Sequence, residues 1–441
     1  MWTYYPELLR TPVPRYTSYP TAAEFTADVG RLEQREGLSD IAGDAPISLY
    51  FHIPYCREIC WYCGCNTGAA NRTERLATYL DCLKQEIALV AAALDGRGRV
   101  TRVAFGGGSP NAIAAGQFLD LVARIRSSFT IDDQAVWSIE LDPRGFDDSF
   151  AAAIASVGID RASLGVQTFD PSVQAAIGRV QSLELIERAT GLLREAGVTS
   201  LNFDLMYGLP GQTDEMLRDS LDLSDELGAD RLAVFGYAHV PHLVPRQRQI
   251  HPAALPGPEE RFGMAALACR RLTEAGWDTV GFDHFARPDD PLALAARNGR
   301  LRRNFQGFTD DPCEILIGFG ASAISRLPNA LVQNEKNSGR YGMFVDSGRL
   351  AGTRGIRLTD LGKQRAAIIE QLLCNGRADL TPLGNIRTIR TTLEPFARRS
   401  LLEWHGNRLT LAPDALPYRR SIAACVDPWR ADSQVRFSSA V

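Results

Sequence analysis

Lysine is almost missing from this 441-residue chain: it occurs only at 84, 336 and 363, and arginine carries nearly all the positive charge. A coding bias explains that more simply than any function. The net charge of −4 leaves no basic footprint, which excludes nucleic acid as an implied partner. Long apolar runs are also missing. The longest stretch free of polar residues, glycine and proline is eight residues, Ile87 to Leu94, far short of the roughly 20 that a membrane span needs. The first twenty residues contain four prolines and no apolar core of a secretory signal. The expectation is a cytoplasmic protein with no membrane partner, in a compartment where thiols stay reduced. A disulfide framework is equally absent: the nine cysteines are odd in number, four of them lie within ten residues, and Cys82, Cys269, Cys313, Cys374 and Cys425 are scattered among apolar neighbours. Those five read as small buried hydrophobes.

What is present is the composition of a soluble globular protein, 45% hydrophobic and 23% charged, long enough for two or three domains. Residues 1–45 are irregular and rich in proline and aromatics. From about 47 the chain alternates. SLYFHI (48–53), TRVAF (101–105), VWSIEL (136–141), RASLGV (161–166), SLNFDLMY (200–207) and RLAVFGY (231–237) are strand-like, with helical patterns between them. Leu76, Tyr79, Leu80, Leu83, Ile87 and Val90, for example, share one helical face. Six such units predict parallel βα architecture, a partial (β/α)6 TIM-like barrel. The rhythm then fades into proline-rich loops after 245, with further β-like pieces at 277–282 and 314–320. The expected domains are an N-terminal arm (1–45), a catalytic domain (46–350) and a small, mainly helical C-terminal domain (351–441). Polar residues cluster at the strand ends: the cysteines, GGGSP (106–110), Glu140, Gln167, Asp204 and His239. In a parallel barrel those ends form the mouth where active sites are built.

The cysteine loop reads HIPYCREICWYCGCNTG, with Cys56, Cys60 and Cys63 spaced three and two residues apart. Three thiolates this close can ligate three irons of a cubane and leave the fourth open to a small chelating molecule. The competing reading is structural zinc. Zinc ribbons and fingers take two ligand pairs well separated in sequence, and no second pair follows here. His239 and His242 flank a proline without a further ligand nearby, which does not make a metal site. The three glycines of the 106–108 turn let backbone groups approach a ligand, although a permissive turn would use them equally well. Glu140 and Asp204 each close an apolar strand, where a ligand contact competes with a buried ion pair. Gln167 could cap a helix and Arg179 could be a solvated charge. His52 enters the loop as either a packed core histidine or a support for the site.

The Cys-x3-Cys-aromatic-aromatic-Cys pattern after a first strand resembles the radical S-adenosylmethionine (SAM) superfamily. The longer string from Tyr50 to Asn66, together with PRYTSYPTAAEF (14–25), GGGSP, SIELDPR, LGVQTFD, FDLMYGLPGQT, FGYAHVP, DHFARPDD and RNFQGF, is similar to the oxygen-independent coproporphyrinogen III oxidases. The resemblance implies a [4Fe-4S] cluster on Cys56, Cys60 and Cys63, with Cys65 present but not a ligand. It implies one SAM on that cluster, contacted by Tyr50, Gly107, Glu140 and Ile324. A second SAM would be lined by Tyr62, Gly108, Ser109, Gln167, Arg179, Asp204 and Ala238. Two departures stand out: Ser109 where the family has Thr, and DDPCEI (310–315), whose Pro312 and Cys313 bear on the pocket near Ile324.

The implied activity is oxidative decarboxylation of two propionates of coproporphyrinogen III to vinyls, giving protoporphyrinogen IX. The agent is a 5′-deoxyadenosyl radical, and no acid–base pair is implied. Such a tetracarboxylate calls for arginine at the mouth, with Arg15, Arg287, Arg302 and Arg303 as candidates and Tyr16 and Tyr19 closing over the ring. An electron donor and an acceptor are required but not identified, and the family implies a monomer. Alternatives on the same scaffold are a haem-binding chaperone, which lacks the N-terminal arm and the Gly-Cys-Asn extension present here, and a radical SAM methylase or haem-ring-opening enzyme.

Overall fold

The computed structural model describes residues 2–70 and 73–430. Six βα units follow one another: β1 (Pro46–Ile53), α1 (Thr73–Leu94), β2 (Arg99–Gly107), α2 (Ala115–Ser128), β3 (Ile131–Leu141), α3 (Asp148–Val157), β4 (Arg161–Gln167), α4 (Leu183–Glu195), β5 (Ser200–Tyr207), α5 (Asp214–Glu226) and β6 (Arg231–Gly236). Local chemistry sets the helix ends. The side chains of Asp147, Ser182 and Thr213 accept hydrogen bonds from the first turns of α3, α4 and α5, and Gly158 ends α3 in the left-handed region. After α6 (Pro258–Glu274) come short strands β7 (Asp278–Val280), β8 (His284–Ala286), β9 (Ile315–Phe319), β10 (Ile324–Arg326), β11 (Ala330–Asn334) and β12 (Gly352–Arg357), then α7 (Asp360–Asn375).

All twelve strands form one sheet in the order β12-β11-β10-β9-β1-β2-β3-β4-β5-β6-β8-β7. From β1 to β6 every pairing is parallel, and β9 joins β1 in parallel on its other side. The remaining strands are antiparallel extensions. The sheet does not close on itself, so the barrel is partial. Beyond it, the C-terminal region is helical around a small sheet of Arg377–Asp379, Arg408–Leu411 and Leu402–His405. No described helix is long and apolar enough to cross a membrane.

Side-chain alternation along β1 shows how the barrel works. Ile47, Leu49, Phe51 and Ile53 join the main core, where Phe51 stacks on Phe319 at 4.7 Å and on Phe105 at 5.4 Å. Ser48, Tyr50 and His52 take the other face and make polar contacts inside the barrel. The interior is therefore polar, and its base is sealed by charge. Asp310 accepts from Arg161 at 2.5 and 2.9 Å and from Arg102 at 3.1 Å. Burial alone would push its carboxyl up, but the two guanidiniums hold it well below the usual range. Arg231, at the start of β6, grips Asp290 in the same way, at 2.8 and 2.9 Å. The departing 310–315 segment is thus partly a floor, while its Cys313 lines the same cleft as Ile324.

Asp310→Ala leaves Arg102 and Arg161 without the carboxylate that bridges them. A loss of about 3–5 kcal/mol in unfolding free energy is expected, read from urea melts. A loss under about 1 kcal/mol would show that water, not Asp310, neutralises the base.

Candidate active site

The mouth is organised by the turn that ends β2. A Cβ on Gly106 would stand 2.6 Å from the Glu140 carboxylate, one on Gly107 2.6 Å from the His52 ring, and one on Gly108 2.5 Å from the carbonyl oxygen of Tyr55. Gly107 also has φ +115°, which side chains rarely adopt. The turn therefore has to be glycine, because Glu140, His52 and the Tyr55 backbone pack directly against it. Gly107 N–H donates to Glu140 Oε2 at 3.1 Å. Tyr50 Oη lies 3.1 Å from His52 Nδ1, and the ring of Phe305 meets Tyr50 edge-on at 4.5 Å. Burial holds His52 neutral, with its pKa pulled down to about 4. Ile324 lies on β10, two strands from β1 in the sheet. Leu316 and Ala323 beside it pack with Tyr50 and Phe305.

The cysteine loop follows β1 directly. Cys60 is buried, and its Sγ accepts from Arg179 Nη1 at 3.2 Å and from Arg144 Nη2 at 3.3 Å. Both guanidiniums also hold Asp142, Arg144 at 2.7 Å and Arg179 at 3.2 Å, so that this half-buried carboxyl stays below its usual pKa. Cys63 accepts from the Cys65 amide at 3.4 Å, and the hydrogen bonding from Cys65 pulls its thiol down to about 6. Burial pushes Cys56 up to about 12. Among the described residues, no three metal-ligating side chains converge on a single point. A cubane does not ask for that, because each thiolate takes its own iron. Three free thiols on one loop, with cationic donors on one of them, suit an anionic iron–sulfur cluster.

Arg179 is a hub rather than a surface charge. It is 5% exposed and also donates to the Gly165 carbonyl at 2.6 Å. Gln167, just beyond, has φ +69°, a strained value for a residue with a side chain. Ser109 Oγ accepts from the Asp142 amide at 3.2 Å and donates to Asn111 at 2.5 Å. Asp204 accepts from Asn202 at 2.8 Å and Ser163 at 3.0 Å, and burial raises its carboxyl. Gln247 Nε2 ties the Tyr62 and Ala238 carbonyls together at 2.8 and 3.0 Å. The Tyr62 ring packs against an apolar group that includes Ile177 and Tyr237.

Other expected residues divide: Arg302 and Arg303 line one cleft with Tyr16 and Tyr19, whereas Arg287 lies elsewhere. Arg287 stacks on Trp277 at 4.2 Å and pairs with Asp225, at the strand-start end of β6 and away from the mouth. Arg302 pairs with Glu370 at 3.0 Å. His239 meets Tyr237 Oη at 2.9 Å. Tyr16 and Tyr19 line a cleft of about 860 Å³ between the N-terminal arm, Phe305, Ile324 and α7. Sequence reasoning missed Asp142, Arg144 and Phe305, although SIELDPR and RNFQGF had been singled out. Their only local signal is a charged pair just past the end of β3 and an aromatic in a polar stretch.

Burial, with the nearby Asp204 charge, pushes Glu140 from 4.5 up to about 7. Between those values the folded state keeps a proton that the unfolded chain has released, so stability falls as pH rises from 4.5 through about 7. Glu140→Gln cannot titrate and keeps an acceptor for Gly107. It is expected to be more stable than the parent at pH 8 by up to about 3 kcal/mol, with the gap closing toward pH 5. Urea melts at both pH values check this; an equal gap at the two would contradict it.

Residues 50–224 match the radical SAM superfamily. Oxygen-independent coproporphyrinogen III oxidase of Bradyrhizobium diazoefficiens is 43% identical over 424 residues, covering 94% of each chain. The Escherichia coli protein of the same name is 40% identical over 425 residues, covering 94% of this chain and 93% of its own. The solved structure of coproporphyrinogen III oxidase from Escherichia coli, described as a radical SAM enzyme, superposes with a TM-score of 0.91 at 36% identity, covering 97% of this chain and 99% of that one. With likeness at this level from end to end, the chain belongs to the oxygen-independent coproporphyrinogen III oxidase family of radical SAM enzymes.

Proposed function

We propose that this protein converts coproporphyrinogen III to protoporphyrinogen IX without oxygen, using a [4Fe-4S] cluster on Cys56, Cys60 and Cys63 and SAM. The observation that carries it is one mouth holding the three-thiol loop, the glycine turn and the half-buried Glu140, in a chain of this family. When bound, the cluster and SAM would supply a 5′-deoxyadenosyl radical able to take a hydrogen from a propionate β-carbon; loss of carbon dioxide, with one electron passing to a separate acceptor, would then leave the vinyl. The rest is done by the chain's own residues.

Arg144 and Arg179 neutralise charge at Cys60 and hold its thiolate in place. Tyr50, Gly107, Glu140 and Ile324 would contact a SAM on the cluster, where Glu140 would accept from its ammonium or ribose hydroxyls. Tyr62, Gly108, Ser109, Gln167, Arg179, Asp204 and Ala238 line a place for a second. No side chain is needed as acid or base at the radical step. What the step needs is dryness, and Phe305, Leu316 and Ile324 give the cleft an apolar wall. We take 1–45 as an arm, 46–350 as the catalytic domain and 351–441 as a C-terminal domain; positions 1, 71–72 and 431–441 of these lie outside the described residues. Tyr16 Oη on Asp427, at 3.0 Å, and Tyr418 Oη on the Thr3 carbonyl, at 2.7 Å, fasten the arm to the C-terminal region. We take the protein to work as a cytoplasmic monomer with separate electron donor and acceptor.

Reconstituted protein incubated anaerobically with SAM, a reductant and coproporphyrinogen III should release two carbon dioxide units per tetrapyrrole and form 5′-deoxyadenosine, by mass analysis. Both should fall below detection in Cys60→Ser. A methylated or linearised tetrapyrrole would instead place the chain with the other chemistries of this scaffold.

A further inference from the structure

The buried face of α1 is apolar apart from a few positions, among them Tyr79 and Glu86, about two helical turns apart. Glu86 is fully buried and is the one charged residue among the buried positions of that helix. Neutral donors answer it: Gly320 N–H at 2.6 Å, and the Tyr341 hydroxyl and Asn334 Nδ2 at 2.7 Å. Tyr341 comes from the helix Ser338–Asp346 and Asn334 from the end of β11. Asn334 also donates to the Gly320 carbonyl at 3.0 Å. Tyr79 has a different pair of partners. Its hydroxyl donates to the His52 carbonyl at 2.7 Å and accepts from Ala321 N–H at 3.0 Å.

These bonds meet at one place, the turn that joins β9 to β10. The parallel ladder between β1 and β9 ends at Phe51 and Phe319. One residue further on, at His52 and Gly320, the Tyr79 hydroxyl takes over as a side-chain rung between the two chains. The turn itself is strained and tight. Ser322 has φ +67°, and a Cβ on Gly320 would stand 2.5 Å from the His52 carbonyl oxygen. Ser322 Oγ lies 3.5 Å from His52 Nε2, Ala323 packs with Tyr50, and Ile324 follows at the start of β10. Burial pushes the Glu86 carboxyl up to about 7 against the pull of its three donors. An apolar side chain would pack here without that desolvation cost. What a fully bonded buried network adds is a single rigid geometry.

We infer that Tyr79 and Glu86 are positioning residues for SAM: they fix the β9–β10 turn against the end of β1 and so set Ile324 relative to Tyr50. The inference rests on the SAM contacts proposed above. Both residues act through main-chain atoms, those of His52, Gly320 and Ala321, rather than by touching the ligand. Tyr341 stands behind them. Among the described residues its hydroxyl bonds to Glu86 alone, so it steadies the carboxylate without reaching the turn.

The test sets Tyr79→Phe, which removes the rung, beside Tyr341→Phe, which removes one outer donor to Glu86. The SAM Kd is read from the change SAM makes in the electron paramagnetic resonance signal of the reduced, cluster-loaded full chain. Amide hydrogen exchange over 318–324 reads the turn itself. In Tyr79→Phe, exchange at the turn is expected to quicken and the SAM Kd to rise about tenfold. In Tyr341→Phe the SAM Kd is expected to stay that of the parent. Tyr79→Phe keeps the ring that packs on Tyr55 and Tyr341, so it folds even where a substitution of the buried Glu86 does not. Glu86→Gln, which keeps an acceptor for Gly320, is expected to bind SAM more tightly than Glu86→Leu. An unchanged SAM Kd in Tyr79→Phe overturns the positioning role. So does an equal rise in Tyr79→Phe and Tyr341→Phe, which general loosening of the fold would give. A parent signal indifferent to SAM overturns instead the SAM site on which the inference rests.

Discussion

Charge buried inside a barrel of parallel strands has to be answered by opposite charge, and that constraint shapes this protein from floor to mouth. Strand alternation sends Ser48, Tyr50 and His52 inward, just as it sends Ile47, Leu49 and Phe51 outward. At the base the answer is complete. Asp310 takes two guanidiniums, and Asp290 takes a third together with the Ser200 hydroxyl. Such pairs contribute little net stability over an apolar core, but breaking one is costly. The effect is a stiff floor beneath strands whose other ends carry the chemistry.

At the mouth the balance is left open. Asp142 holds Arg144 and Arg179 together, and both reach the Cys60 thiol, so the loop meets a cationic wall on the side facing β3 and β4. Glu140 and Asp204 sit deeper with neutral partners only, and both carboxyls are raised by burial. Groups in that condition respond to a cationic ligand far more than a solvated carboxylate does. The glycine turn brings backbone to the same place, and the aromatic arm and apolar cleft shield it from water. On the function proposed above, cysteine spacing, glycine turn and raised carboxyls serve one reaction volume.

The six βα units were readable because each strand is a β-rich run of five to eight residues and each helix shows its buried face by spacing. The cysteine loop was readable because its ligands are neighbours in sequence. The short strands β7 to β12 were mostly not, since three-residue strands such as Ile324–Arg326 carry no period and exist through their partners. Buried charge was harder still. Asp142, Arg144 and Asp310 look like surface residues until strands distant in sequence bring their partners to them. Arginine illustrates the limit best. Arg287, expected at the mouth, binds Asp225 at the opposite end of the strands, and Arg303 holds the arm backbone.

The central claim is that the mouth holds an open-sited [4Fe-4S] cluster on Cys56, Cys60 and Cys63. Its most direct test is anaerobic reconstitution followed by iron and sulfide analysis and low-temperature electron paramagnetic resonance of the reduced protein. The account expects equal iron and sulfide, and a reduced-cluster signal that changes shape when SAM is added. Both should disappear in Cys63→Ser and persist in Cys65→Ser. A signal indifferent to SAM, or one that survives loss of Cys63, would contradict it.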